Sequence, residues 1–100
     1  MKFIIKESQL DILMTEYLNT WIENKHISNQ NNFIVISRKT EFDDEWTDLM
    51  EYDFTDARLW INNEFKRFMS DLFAMSVLDI IPFLTKWFEN KFNVNVEYTE

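Results

Sequence analysis

The stretch TEFDDEWTDLMEYDFTDA, residues 40–57, decides how the chain is assembled. It carries eight carboxylates, Glu41, Asp43, Asp44, Glu45, Asp48, Glu51, Asp53 and Asp56, and no lysine or arginine. Phe42, Trp46, Leu49, Met50, Tyr52 and Phe54 are interleaved with them. Thr40 followed by Asp43 has the form of a helix cap. Phe42, Trp46, Leu49 and Met50 fit one helical face. Met50, Tyr52 and Phe54 also alternate as a strand would. The preferred reading is a short helix from about Glu41 to Glu51.

The same stretch holds the charge asymmetry. The chain has 18 acids against 10 bases, a net charge of −8, and outside residues 40–57 the remaining ten acids are matched by all ten bases. A purely solvating acidic segment would lack large apolar groups. Two readings follow. One is an acidic helix or hairpin whose aromatic rings face the core. The other is a docking surface, with Asp43, Asp44, Glu45 and Asp48 steering a basic partner and aromatic rings anchoring it. Dense carboxylates can also imitate a phosphate backbone and occupy a protein that normally binds nucleic acid. Direct nucleic-acid binding by this stretch is disfavoured by like-charge repulsion.

On the N-terminal side, Lys2 to Lys6 reads as a short strand around Phe3, Ile4 and Ile5. Ser8 with Asp11 resembles a capping box. Leu10, Leu13, Met14, Tyr17, Leu18, Trp21 and Ile22 then recur at helical spacing, ending near Asn24 to His26. Lys25 and His26 suit the negative end of that helix dipole. Ser28 to Asn32 is polar and reads as a loop, and Phe33 to Ile36 as a central strand. On the C-terminal side, Thr55 and Asp56 start a long helix reaching about Ser76. Its stripe comprises Ile61, Phe65, Phe68, Met69, Leu72, Phe73 and Met75, with Leu59 and Trp60 outside it. A further helix begins near Asp79 with Pro82 in its first turn. Val94 to Tyr98 alternates and reads as a closing strand. The expectation is a single α+β domain over residues 1–100, ordered β-α-β-(α)-α-α-β, with a three-stranded sheet covered by three main helices.

Composition narrows the function. Glycine and cysteine are both absent. Phosphate-cradling loops and nucleophile elbows need glycine, so nucleotide binding of the Rossmann or P-loop kind and hydrolase elbows are disfavoured. Disulfides and thiolate metal sites are impossible. Positive-φ turns are expected to fall on asparagine, of which there are ten. The only imidazole is His26. Glu64-Phe65-Lys66 has the E-x-K form seen in some nucleases, but three common residues on a helix carry little specificity. The acids of residues 43–48 lack the spacing and the glycine of a calcium loop. No apolar run approaches the roughly 18 residues of a membrane span, and MKFIIKE is too short an apolar opening for a leader. The expectation is no enzyme, no cofactor, no metal and no membrane partner.

Aromatics make up 17% of the chain, and the helical stripes span about 180° where roughly 100° suffices for one core. Ile12 falls outside the first stripe. A crowded core with stray exposed residues accounts for this. So does a face left for another chain, with Trp46, Leu59 and Trp60 as anchors.

The opening residues Phe3-Ile4-Ile5-Lys6-Glu7-Ser8-Gln9-Leu10 resemble the beginnings of small uncharacterised proteins of tailed bacteriophages, which open with a strand and a capped helix. The resemblance covers eight residues and carries over no functional residue. It implies a virion or assembly component in a homo-oligomer, or an inhibitor of a host protein, in the host cytoplasm or the virion. The leading expectation is therefore a non-enzymatic interaction protein, self-associating or bound to another protein. The alternative is an acidic nucleic-acid mimic that blocks a basic host protein.

Overall fold

The computed structural model describes residues 7–39 and 45–100. The expected strand at 2–6, the Ser8 cap side chain and the proposed Thr40 cap with Asp43 and Asp44 lie outside the described residues. Helix α1 spans Glu7–Trp21 and closes in a 3₁₀ turn at Ile22–Asn24. Four strands follow: β1 His26–Gln30, β2 Phe33–Lys39, β3 Trp46–Asp53 and β4 Arg58–Ile61. Helices α2, Asn63–Phe73, and α3, Val77–Phe92, lead to β5, Tyr98–Thr99. The class is α+β as expected. The sheet, however, has five strands rather than three, in the order β1-β2-β3-β4-β5. The first four pair antiparallel and β5 joins β4 in parallel.

Three expectations are corrected. The polar stretch Ser28 to Asn32 is not a loop: most of it forms β1, which turns into β2 through Asn31-Asn32, because Gln30 pairs with Phe33. Asn31 takes φ 57° there, the conformation a two-residue hairpin demands. The segment read as a helix from Glu41 to Glu51 is β3 from Trp46 onward. The long helix beginning at Thr55 is instead a turn, strand β4, and a shorter helix. Asp53 Oδ1 accepts from the Thr55 amide at 2.9 Å, an Asx turn rather than a helix cap. Asn62 is the true cap of α2, its Oδ1 accepting from Glu64 N at 2.8 Å and Phe65 N at 3.2 Å.

One irregularity sets the sheet. Ile36 pairs with Met50, but Ser37 pairs with Asp48, so Leu49 is an extra residue in β3. A bulge of this kind shifts the side-chain alternation by one. Thr47 and Leu49 before it, and Met50 and Tyr52 after it, therefore share one face. Ile34, Ile36, Leu59 and Ile61 join them by register. Onto that face pack Met14, Leu18 and Ile22 of the first helical unit, Phe65 and Met69 of α2, and Ile80, Leu84, Trp87 and Phe88 of α3. All three helices thus cover the same side of the sheet.

The two C-terminal helices bend by 104° at their junction. Ala74 makes the turn at φ 52°, and Ser76 caps α3 by accepting from the Asp79 amide at 3.2 Å. The helix so begins at Val77, which puts Pro82 in the second turn rather than the first and removes the amide bond to the Leu78 carbonyl. Beyond α3 only Tyr98 and Thr99 form a strand. Val94 and Val96 pack against the core without pairing. Tyr52 Oη donates to the Asn95 carbonyl at 2.6 Å, Glu89 accepts from the Val96 amide at 2.9 Å, and the Ile61 amide donates to the Glu100 carbonyl at 3.0 Å. These bonds hold the last eight residues against β3, β4 and α3.

Two outcomes follow from this backbone. Ala57 and Ala74 occupy the left-handed region beside Asn31 and Asn93, so asparagine takes only part of the turn burden. Ala74→Gly is expected to raise stability by about 0.5–1 kcal/mol, because relief of the Cβ clash exceeds the entropy lost. Thermal unfolding would register a rise of a few degrees. Burial, then Glu89, Glu97 and Asp53, raise the pKa of Tyr52. A raised phenol contributes stability that is complete below the ordinary tyrosine value of about 10 and is lost as pH climbs above it. Tyr52→Phe is expected to cost about 1 kcal/mol at neutral pH and to make the alkaline loss shallower. Urea unfolding at neutral and alkaline pH measures both, with Tyr17, also raised by burial, supplying the residual slope.

Candidate interaction surface

Among the described residues, no helix packs on the sheet face opposite the core. Register assigns its side chains in rows: His26, Ser37 and Asp48; Ser28, Val35, Glu51 and Trp60; Gln30, Phe33, Asp53, Arg58 and Tyr98. Lys39 and Trp46 close one end. One-sided antiparallel sheets commonly present polar residues to water. This one presents four large apolar groups: Trp46 is 54% exposed, Tyr98 62%, and Phe33 and Trp60 37% each.

The bulge is what puts Trp46 here. Its ring reaches across β2 to His26, with ring centroids 5.0 Å apart. His26, expected at the helix end, is instead the first residue of β1 and a support for that indole. Lys25, the other residue expected at the helix end, is found there: its Nζ donates to the Trp21 carbonyl at 3.4 Å. Ser37 Oγ donates to Asp48 Oδ1 at 2.8 Å, fixing that carboxylate on the face. Glu51 lies directly between Val35 and Trp60 in register. Asp53 stands opposite Arg58, and Arg58 Nε reaches Glu100 at 3.5 Å. Two bases, Lys39 and Arg58, are thus set among Asp48, Glu51, Asp53 and Glu100, leaving the face acidic.

The sequence-derived anchors separate. Trp46, Trp60 and Asp48 come together on the open face, and Glu45 is exposed immediately before it. Leu59 is not an anchor: it is 0% exposed, because in strand β4 it alternates with Trp60 and points into the core. Asp43 and Asp44 lie outside the described residues. Glu51, Asp53, Phe33 and Tyr98 share this face by register, with no anchor role legible for them in the sequence. The alternation of Glu51 and Asp53 with Met50 and Tyr52 was the available signal for two of them.

The Glu64 and Lys66 side chains lie in different surroundings. Lys66 is buried with Nζ 3.5 Å from Asn63 Oδ1, while Glu64 is exposed in the first turn of α2. Among the described residues no three carboxylate or imidazole side chains converge as a metal ion requires. No single helix among them is long and apolar enough to cross a membrane. What the open face can do is hold cations: indole rings attract Lys and Arg side chains through their π-faces, and neighbouring carboxylates complete the pairing. Comparison with known proteins yields no matching family model, no matching curated protein and no matching solved structure.

The adjacent pair Leu59 and Trp60 tests the assignment of faces. Leu59→Ala is expected to destabilise by about 2–5 kcal/mol. Trp60→Ala is expected to cost about 1 kcal/mol or less, despite removing a larger side chain. Denaturant midpoints of the two variants measure the contrast, and comparable losses would place Trp60 in the core.

Proposed function

We propose that this chain is a non-enzymatic interaction module that binds a basic protein on its open sheet face. The supporting observation is the meeting of Trp46 and Trp60 with Asp48, Glu51 and Asp53 on a surface that no helix covers among the described residues. Trp residues supply contact energy at interfaces, and carboxylates raise the encounter rate with a positive partner. Charge also decides between partners. A second copy brings the same acidic face and the same net charge of −8, so self-pairing there is opposed, whereas a Lys- and Arg-bearing chain is favoured. Nucleic-acid-binding proteins carry such basic surfaces, which is how an acidic mimic would act. The likeness of residues 3–10 to small phage proteins supports a host or virion protein as that partner.

A peptide alternating Lys and Leu serves as the probe, titrated into labelled protein and followed by NMR. Shifts are expected at the indole N–H groups of Trp46 and Trp60 and along β2 to β4. Asp48→Asn/Glu51→Gln is expected to weaken binding at least roughly tenfold, as is raising salt from about 0.05 to about 0.5 M. Shifts centred on the helices, or affinity indifferent to both changes, would refute the proposal. Sedimentation of the chain alone should show a monomer. A dimer abolished by Trp46→Ala/Trp60→Ala would assign the face to a second copy instead.

A further inference from the structure

A second surface lies on the opposite side of the sheet, where the end of α1, the β2–β3 pair and the start of α2 meet. They leave a crevice of ≈310 Å³, the low end of the size range for small-molecule sites. Its walls include Tyr17, Trp21 and Phe68, and its polar groups include Lys25, Arg38 and Glu64. Trp21 is held rigidly: it stacks on Phe65 at 4.7 Å and meets Trp87 edge-on at 6.3 Å. Phe68 is half exposed, with no core role to explain its ring.

The charges are unusual for so acidic a chain. Lys25 Nζ sits 5.0 Å from the Trp21 ring centroid and 3.4 Å from the Trp21 carbonyl. Among the described residues neither Lys25 nor Arg38 has a carboxylate within ion-pair distance. Arg38 lies close enough to repel Lys25: burial first, and then Arg38, lower the lysine's pKa. Two cations lining one crevice, with no ion-pair partner among the described residues, create a local positive potential that an anion would relieve. Burial raises the Tyr17 pKa, so its hydroxyl remains a neutral donor. Glu64 is the one carboxylate on the lining and opposes an incoming anion.

We propose that this crevice binds a small planar anion, an aromatic ring bearing a carboxylate, with the ring against Trp21 and Phe68 and the carboxylate between Lys25 and Arg38. A guanidinium binds a carboxylate in a two-pronged, charge-assisted contact, and flat rings stack on aromatic walls at 4.5–7 Å by general preference. The site is separate from the open sheet face, and its occupancy does not depend on the function proposed for that face.

The probe is 2-naphthoate, with 2-naphthylmethanol as its neutral analogue, each titrated by NMR and calorimetry. Naphthoate is expected to bind at least roughly tenfold more tightly than the alcohol, shifting the Trp21 indole and the amides of Arg38, Thr47 and Phe68. Arg38→Gln alters an exposed side chain and should leave the melting temperature unchanged while removing that tenfold preference. Glu64→Gln should tighten naphthoate binding severalfold, a gain that general destabilisation would not produce. The proposal is overturned by equal affinity for acid and alcohol, or by indifference to both substitutions. It is equally overturned by shifts confined to the groove between α1 and α3 at Asn19 and Lys86.

Discussion

One extra residue in β3 governs both faces of this protein. Without the bulge at Leu49, strict alternation from Met50 and Tyr52 would turn Asp48 and Trp46 inward and Thr47 and Leu49 outward. A carboxylate facing the helices would have to be desolvated or protonated, and a leucine would be lost from the core. The bulge resolves this conflict by letting the strand bury 49 and 50 in succession. Everything proposed for the open face follows: Trp46 and Asp48 lie beside Glu51 and Asp53 only because the phase changes between them. The crevice on the covered side depends on the same shift, since Thr47 and Leu49 form part of its floor.

The same bulge explains what the sequence concealed. Apolar residues at 46, 49 and 50 reproduce the i, i+3, i+4 spacing of a helix, so a bulged strand and an amphipathic helix share one pattern there. In β4 the disguise is brevity. Arg58-Leu59-Trp60-Ile61 alternates cleanly, but four residues joined to the strong helical stripe of α2 read as its first turn. Their misfit to that stripe, with Leu59 and Trp60 off the wheel, was the visible trace of the strand. Strand β1 has no apolar alternation at all. It is recognised only through its two-residue turn and its pairing with β2, information that resides in the partner strand. By contrast α1 and α3 were legible nearly to their ends, because each buries a long stripe against a single sheet and little competes with its period.

The site residues were legible to a similar degree and for the same reason. Acid and aromatic types single out residues 40–57, and of the anchors read from the sequence Trp46, Asp48 and, from β4, Trp60 share the open face. Which neighbours accompany them depends on cross-strand register, which no local pattern encodes. Leu59 shows the limit most directly. Its chemistry suits an anchor as well as that of Trp60 does, and only the strand period separates a core residue from an exposed one.

The two surfaces carry charge of opposite sign. The open face gathers carboxylates around indole rings, whereas the crevice sets two cations beside aromatic walls, and the sheet stands between. Opposite charges so placed cannot neutralise one another through close contact, since β2 carries Arg38 on one face and Ser37 and Lys39 on the other. Each surface therefore keeps a charge of its own sign. Rings provide contact area on both, so the sign of the charge, rather than apolar area, distinguishes what each can hold.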